Sequence, residues 1–297
     1  MNSARPILTR TTRFLCWLAL LGCLQGCGES EAFEGGSASE PRVRIVSLSP
    51  ALSQILIDFG QGDSIVGCTP WAPEELERVP VVGDLLRPDL ERISAVRPDL
   101  ILVQPTQLGI DPGLEKLATG RGWQVEAWTL NRLDDLDVVL EELPEALQRA
   151  GLDPTPVRGS VAQWRQRRDQ LLVPEPEVEA LGETVILFGI DPPMAFGGET
   201  YVNDLLESLG GRNALRGPGY LEMSLEDLIV LAPDSVLILA SGPEAARGQA
   251  DDLRRMLGTS AADWDIRAFD GEDLLVPGTR LLDGIERFRT RLAEDRP

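Results

Sequence analysis

The sequence contains no histidine, the residue type most often used as a metal ligand and as a general base. Lysine is nearly absent too: Lys116 is the single one, so arginine carries almost all of the positive charge. Of the four cysteines only Cys68 lies beyond residue 27, so no disulfide can form within the body of the chain. These absences predict no metal site, no resident cofactor and no catalytic residue.

Acidic residues outnumber basic ones, and the chain has a net charge of −20. A field of that sign repels nucleic acid and anionic membrane surfaces. The sequence also lacks the G-x-S-x-G, P-loop and G-x-G-x-x-G motifs, and Ser47 and Ser49 have no histidine that could activate them. We therefore predict a globular binding protein, with no nucleic-acid partner and no enzymatic activity.

The first 26 residues read as an export signal. Three arginines precede the apolar run Phe14–Leu24, which is too short to span a bilayer. The run ends at Leu-Gln-Gly-Cys, which resembles the lipobox of bacterial lipoproteins and implies lipidation of Cys27, with Cys23 as the alternative. Residues 27–41 are rich in Gly, Ser and Glu and predict a flexible tether. The expected location is periplasmic or extracytoplasmic, with the protein held at a membrane by the lipid.

From residue 42 onward, short β-type runs alternate with helical stretches, which predicts largely parallel sheets covered on both faces. The alternation occurs twice, with a helical stretch between the two occurrences. We predict an N-terminal α/β lobe at 42–153, a connecting helix region at 154–181 and a C-terminal α/β lobe at 182–297. The fold class is thus α/β, with two Rossmann-like lobes joined by a single long helix and a ligand cleft between them.

One motif is common to both halves. Leu90–Val103 aligns without a gap with Leu225–Ile238, matching a helix, a Pro-Asp turn and a buried strand. The alignment places Glu91 and Glu226 in the first turns of equivalent helices. Such carboxylates can simply compensate the helix dipole. A second interpretation is that they present one negative charge per lobe to arginines of a two-fold symmetric partner.

Several motifs together resemble the solute-binding proteins of ABC importers for cobalamin, haem and ferric siderophores. They are Ile45–Pro50, Val82–Asp84, Leu90–Ile93, Pro98–Ile101, and Phe188–Pro193 with Glu207–Asn213, the last two most like the cobalamin-binding branch. The resemblance spans about 42–292. It implies two α/β lobes on a rigid helix, a monomer that delivers its ligand to a permease dimer and its ATPase, and docking through Glu91 and Glu226.

The resemblance also implies a cleft lined by aromatic residues. Trp71 and Tyr220 fall at two such positions, and Phe196 or Met194 falls at a third. All lie in predicted loops next to strands or helices, where α/β folds bind ligands. Arg280 is a candidate partner for ligand carboxylates or phosphate. The predicted ligand is a cobalamin-like corrinoid.

Three alternatives stay open. Leu85 and Gln104 occupy positions at which the cobalamin binders have aromatic residues, so haem and ferric siderophores stay open as alternative ligands. For haem, only Tyr201 and Tyr220 could supply an axial ligand, and for a siderophore only Arg87 and Arg280 are obvious cationic contacts. The remaining alternatives are an interaction lipoprotein and an enzyme.

Overall fold

The computed structural model describes residues 43–105, 107 and 109–294. The predicted signal, the tether, Cys23 and Cys27 lie outside the described residues. The described residues belong to one compact unit. Within the described part of the chain, no helix combines the length and apolar character needed to cross a bilayer.

The first sheet contains four strands in the order β2-β1-β3-β4, and all of its pairs are parallel. Both faces are covered, so β3 is buried along its whole length. The strands are β1 (Ile45–Ser47), β2 (Ile65–Gly67), β3 (Leu100–Val103) and β4 (Gln124–Ala127), and the helices are α1 (Pro50–Asp58), α2 (Leu90–Val96), α3 (Pro112–Arg121) and α4 (Leu133–Arg149). The predicted parallel α/β lobe is confirmed for this half.

The second sheet has the order β10-β9-β5-β6-β8, with the short β7 also paired to β5. Its strands are β5 (Glu183–Ile190), β6 (Pro193–Phe196), β7 (Arg212–Asn213), β8 (Tyr220–Glu222), β9 (Ser235–Ala240) and β10 (Asp265–Asp270). Its helices are α7 (Tyr201–Ser208), α8 (Leu225–Leu231), α9 (Pro243–Leu257) and α10 (Leu281–Glu294). Unlike the first sheet it is mixed, because β6 runs antiparallel to β5 and β8.

A single helix, α5 (Thr155–Leu171), followed by the short α6 (Pro176–Glu179), connects the two sheets. Val157, Val161 and Trp164 on α5 belong to one buried cluster that also contains residues of both lobes. The Trp164 indole N–H donates to the Thr279 carbonyl at 2.8 Å, and Arg168 pairs with Asp137 of α4. The connecting helix is therefore packed against both lobes along its length.

The repeated sequence motif has a structural reason. The Asp99 carboxylate accepts a hydrogen bond from the Arg44 backbone N–H at 2.8 Å, just before β1. The Asp234 carboxylate accepts the matching bond from the Glu183 N–H at 2.7 Å, at the start of β5. In each lobe the Pro-Asp turn thus ties the end of a short helix to the beginning of the central strand.

A proline inside a helix usually bends or breaks it, but Pro144 does not break α4. The helix α4 runs unbroken from Leu133 to Arg149. Leu140, Leu143 and Leu147 lie on both sides of the proline and are fully buried in the core. Their burial outweighs the single backbone hydrogen bond that proline removes.

An ion pair joins the lobes directly. Arg132, just before α4, binds the Asp204 carboxylate of α7 through two nitrogens, at 2.5 and 2.8 Å. The Leu133 backbone N–H donates to the same carboxylate at 3.0 Å. The Asp204 side chain is only 14% exposed, so water screens these bonds weakly.

Asp204→Ala is expected to lower the free energy of unfolding by about 2 kcal/mol, because it removes charge-assisted hydrogen bonds to two donors. Asp251→Ala is the matched control. Asp251 pairs with Arg254 on one face of α9 and is 73% exposed, so its loss should change stability by less than about 0.5 kcal/mol. Urea denaturation of both variants measures the difference, and equal stabilities would contradict an interlobe role for Asp204.

Candidate ligand-binding site

Trp71 lies in the loop that follows β2, and its side chain is 67% exposed. The loop is held at both ends: Cys68 forms a bridge with Val81, and Leu76 is buried in the core. This anchored loop exposes the apolar face of an indole to water. Because the loop is already held in place, little conformational entropy would be lost when a ligand binds there.

A cleft of about 560 Å³ opens beside Trp71. Its walls come from both lobes. The first lobe contributes the start of α1 and the Trp71 loop, and the second lobe contributes the segment between β10 and α10. The residues that line the cleft include Gln54, Trp71, Glu74 and Glu75 from the first lobe and Glu272, Asp273 and Arg280 from the second. The structure thus brings Trp71 and Arg280 to one cleft.

Arg280 is already engaged by acidic residues of the other lobe. Its Nη2 lies 3.0 Å from Asp58 Oδ1 and 2.7 Å from Glu75 Oε1, and the Thr279 hydroxyl donates to Asp58 Oδ2 at 2.5 Å. Burial alone would lower the pKa of Arg280, but the hydrogen bonds to Glu75 and Asp58 outweigh it and raise that pKa. A ligand anion must therefore compete with two carboxylates for Arg280.

The pKa of Glu75 is lowered, first by a hydrogen bond from its own backbone N–H and then by one from Arg280. A carboxyl group with a lowered pKa stabilises the fold at pH values above its unfolded pKa. That contribution is lost as the pH falls through the lower folded value. The contact between the lobes at Arg280 is accordingly an acid-sensitive one.

The other predicted site residues gather on the second sheet. Phe196 of β6 pairs with Tyr220 of β8, and Phe188 packs against both, with ring centroids 4.7 Å from Phe196 and 5.8 Å from Tyr220. Phe196 is only 2% exposed, whereas Tyr220 is 51% exposed. The exposed phenol therefore rests on a buried aromatic support, and burial against that support raises its pKa.

Met194 is half-buried two residues before Phe196, so period-two alternation places both side chains on one face of β6. Met194, Phe196 and Tyr220 are not among the residues that line the cleft beside Trp71. The predicted set thus falls into two groups, one at the cleft and one on the second sheet.

Gln54 and Glu75 line the cleft and Asp58 binds Arg280 beside it, although no sequence motif singled out these three residues. Each one matters through a contact with a residue about 200 positions away, such as Arg280, or with Gly278. Loops that follow parallel strands lie at one edge of the sheet, so the sequence predicts that the Trp71 loop lies close to the start of α1. That proximity is the one signal that could have pointed to these residues.

Comparison with known proteins finds relatives of this fold. Residues 45–119 match the family described as Periplasmic binding protein. The structure superposes on the periplasmic vitamin B12-binding protein BtuF of Vibrio cholerae with a TM-score of 0.66 at 21% identity, covering 85% of this chain and 98% of that one. A periplasmic haem-binding protein from Pseudomonas aeruginosa gives 0.67 at 24% identity, covering 86% and 94%. The chain has the fold of a periplasmic binding protein.

Among relatives by sequence, the vitamin B12-binding protein of Pectobacterium atrosepticum is 24% identical, covering 96% of each chain. An uncharacterized ABC transporter substrate-binding lipoprotein of Bacillus subtilis, YvrC, is 23% identical, covering 86% of this chain and 81% of that one. The predicted resemblance and the predicted two-lobe α/β fold are confirmed. Fold similarity does not identify the ligand, because the vitamin B12-binding and haem-binding proteins superpose on this chain with nearly equal TM-scores.

The two predicted docking glutamates occupy equivalent positions in the two lobes. Glu91 and Glu226 lie in the first turns of α2 and α8, which are both seven residues long, and both side chains are exposed. Asp89 caps α2 and Ser224 caps α8 through their side chains. Asp89 accepts from the N–H groups of Glu91 and Arg92, and Ser224 accepts from that of Asp227, so the glutamates are not the capping residues.

Proposed function

We propose that this protein is an extracytoplasmic, lipid-anchored monomer that captures a corrinoid between its lobes and delivers it to an ABC importer. The observation that carries the proposal is the exposed indole of Trp71 at a cleft built from both lobes. An aromatic plate in a concave site suits a ligand with a large, flat ring system. Relatives that span nearly the whole chain and are named vitamin B12-binding proteins support the same ligand class.

The anchor in this proposal is a lipid on Cys27, with Cys23 as the alternative. The B. subtilis relative is itself named a lipoprotein, which supports this part of the proposal. Docking would bring Glu91 and Glu226 to arginines on the two permease subunits, and the ATPase would then drive release of the ligand. Trp71, Tyr220, Phe196, Met194 and Arg280 remain the proposed ligand-binding residues.

Haem is the second candidate, because haem-binding proteins share the fold. Two features of the site work against it. Tyr201 is buried, with its hydroxyl donating to the Leu274 carbonyl at 3.0 Å, and so faces away from any ligand. Tyr220 is accessible, but its raised pKa disfavours the phenolate that an axial tyrosine supplies to ferric haem.

Titration of the full-length protein with cyanocobalamin tests the proposal, followed by tryptophan fluorescence and calorimetry. We expect saturable binding with a Kd at or below about 1 µM, equivalent to about 8 kcal/mol. Haemin is the comparison ligand and should bind more weakly. Saturable binding of haemin with none of cyanocobalamin would reverse the order of the two candidates.

A further inference from the structure

A buried amide with an unsatisfied acceptor stands at the cleft. The Gln54 side chain on α1 is only 6% exposed, and its Oε1 has no hydrogen-bond donor among the described residues. Its neighbour Ser53, also buried, donates to Ser47, so α1 does not leave its polar groups unpaired in general. A buried acceptor without a donor destabilises the ligand-free protein and is worth explaining.

The position of Gln54 ties it to ligand capture. It lines the cleft together with Trp71, and its Oε1 lies where the two lobes meet. A Cβ added to Gly278 of the second lobe would come within 2.1 Å of that oxygen, so the Gln54 side chain would have to move to admit one. The unsatisfied oxygen therefore lies at the contact between the lobes.

The charges around the cleft are unbalanced. Four carboxylates line it, two from each lobe: Glu74, Glu75, Glu272 and Asp273. Arg280 neutralises part of this charge through Glu75, and Arg287 pairs with Asp273 at 2.5 Å. Within the described part of the chain, Glu74 and Glu272 have no cationic partner, so the cleft presents a negative potential from both walls.

We propose that the cleft selects an uncharged or cationic ligand that carries primary carboxamides, that Gln54 binds one of these amides, and that Glu74 and Glu272 repel carboxylate ligands. The proposal rests on the function proposed above and specifies its ligand chemistry. A primary amide offers both an N–H donor and a carbonyl acceptor, so it pairs with the amide of Gln54 in either orientation. The periphery of a corrin ring carries such amides, whereas haem carries carboxylates.

Two corrinoids that share the same ring and differ mainly in these peripheral groups test the selectivity. Dicyanocobinamide carries peripheral amides, and dicyanocobyrinic acid has carboxylates on the same ring. At low salt the full-length protein should bind dicyanocobinamide at least about tenfold more tightly, and the ratio should shrink in 0.5 M salt because ions screen the repulsion. Equal affinities would overturn the inference and leave corrinoid binding intact. Binding of neither would overturn the proposed function and the inference with it.

Gln54→Met keeps the length of the side chain and removes the amide. We expect about tenfold weaker binding of dicyanocobinamide, no change for dicyanocobyrinic acid, and a Tm equal to or above that of the natural chain, because the unpaired acceptor is gone. The matched control is Gln163→Met on the exposed side of α5, which should change neither affinity nor Tm. Unchanged affinity of Gln54→Met for dicyanocobinamide would remove Gln54 from the site.

The acidic residues have a test of their own. The double variant Glu74→Gln, Glu272→Gln should bind dicyanocobyrinic acid at least about fivefold more tightly at low salt while leaving dicyanocobinamide nearly unchanged. Asp251→Asn with Asp252→Asn removes the same number of charges from exposed positions on α9, away from the cleft. An equal gain in both double variants would assign the effect to net charge and contradict a role for the cleft carboxylates.

Discussion

Import of radiolabelled cyanocobalamin should fall at least about tenfold when Glu91 and Glu226 are both replaced by alanine, while the Kd for the ligand stays unchanged. Both side chains are exposed at the first turns of α2 and α8. Each would pair with an arginine of one permease subunit, and losing a charge-assisted pair at an interface costs about 2 kcal/mol, or about 30-fold in affinity. Transport by cells that contain the importer measures the effect.

The chain offers a close control for this prediction. Glu115 of α3 and Glu244 of α9 are also exposed glutamates in first turns, one in each lobe. Glu115→Ala with Glu244→Ala removes the same charge and the same helix-dipole interaction, so it should leave import nearly unchanged. If the Glu91, Glu226 double variant imported at the natural rate, or if both double variants lost import equally, the docking proposal would be wrong.

These glutamates could be located from the sequence because the features that position them are local. A short helix, a Pro-Asp turn and a buried strand follow one another within 14 residues in each half. The turn aspartates Asp99 and Asp234 make the same backbone contact in both lobes. The predicted order of helix, Pro-Asp turn and buried strand is found in both lobes, since a run of buried aliphatic residues and a capped helix are both signalled by nearby residues.

Less local elements were missed. The apolar face of α9 consists of Ala246, Ala250, Leu253 and Leu257, and alanines give only a weak periodic signal. The strands β6 and β8 are four and three residues long, and they exist because they pair with β5 and with each other. Strand pairing between distant segments is a tertiary property, and a short strand carries little pattern of its own.

The candidate site likewise has features that the sequence predicts and features that depend on contacts between distant residues. The exposed position of Trp71 follows from its place in a loop after a strand, which the sequence predicts. The engagement of Arg280 by Asp58 does not, because 222 residues separate the two. Likewise, the unsatisfied oxygen of Gln54 becomes visible only when the second lobe is brought against α1.

Trp71→Ala should weaken cyanocobalamin binding roughly 30- to 150-fold, equivalent to about 2–3 kcal/mol, with no loss of stability. The indole is mostly in water in the ligand-free protein, so its removal breaks few contacts. Its apolar face would be covered only in the complex, which is where the free energy would be lost. Trp71→Phe should recover most of the affinity, because a smaller aromatic ring still stacks.

Phe196→Ala provides the contrast that makes the Trp71 result interpretable. Phe196 is buried beneath Tyr220, with ring centroids 5.6 Å apart, so its removal should cost about 3–5 kcal/mol of stability. Any accompanying loss of affinity would then reflect a displaced Tyr220. Calorimetry with thermal denaturation of both variants separates the two roles: a loss of affinity at constant Tm identifies a ligand contact, and a joint loss identifies a support. If Trp71→Ala bound cyanocobalamin as tightly as the natural chain, the exposed indole would not belong to the ligand site, and the ligand would have to be sought at Tyr220 on the second sheet.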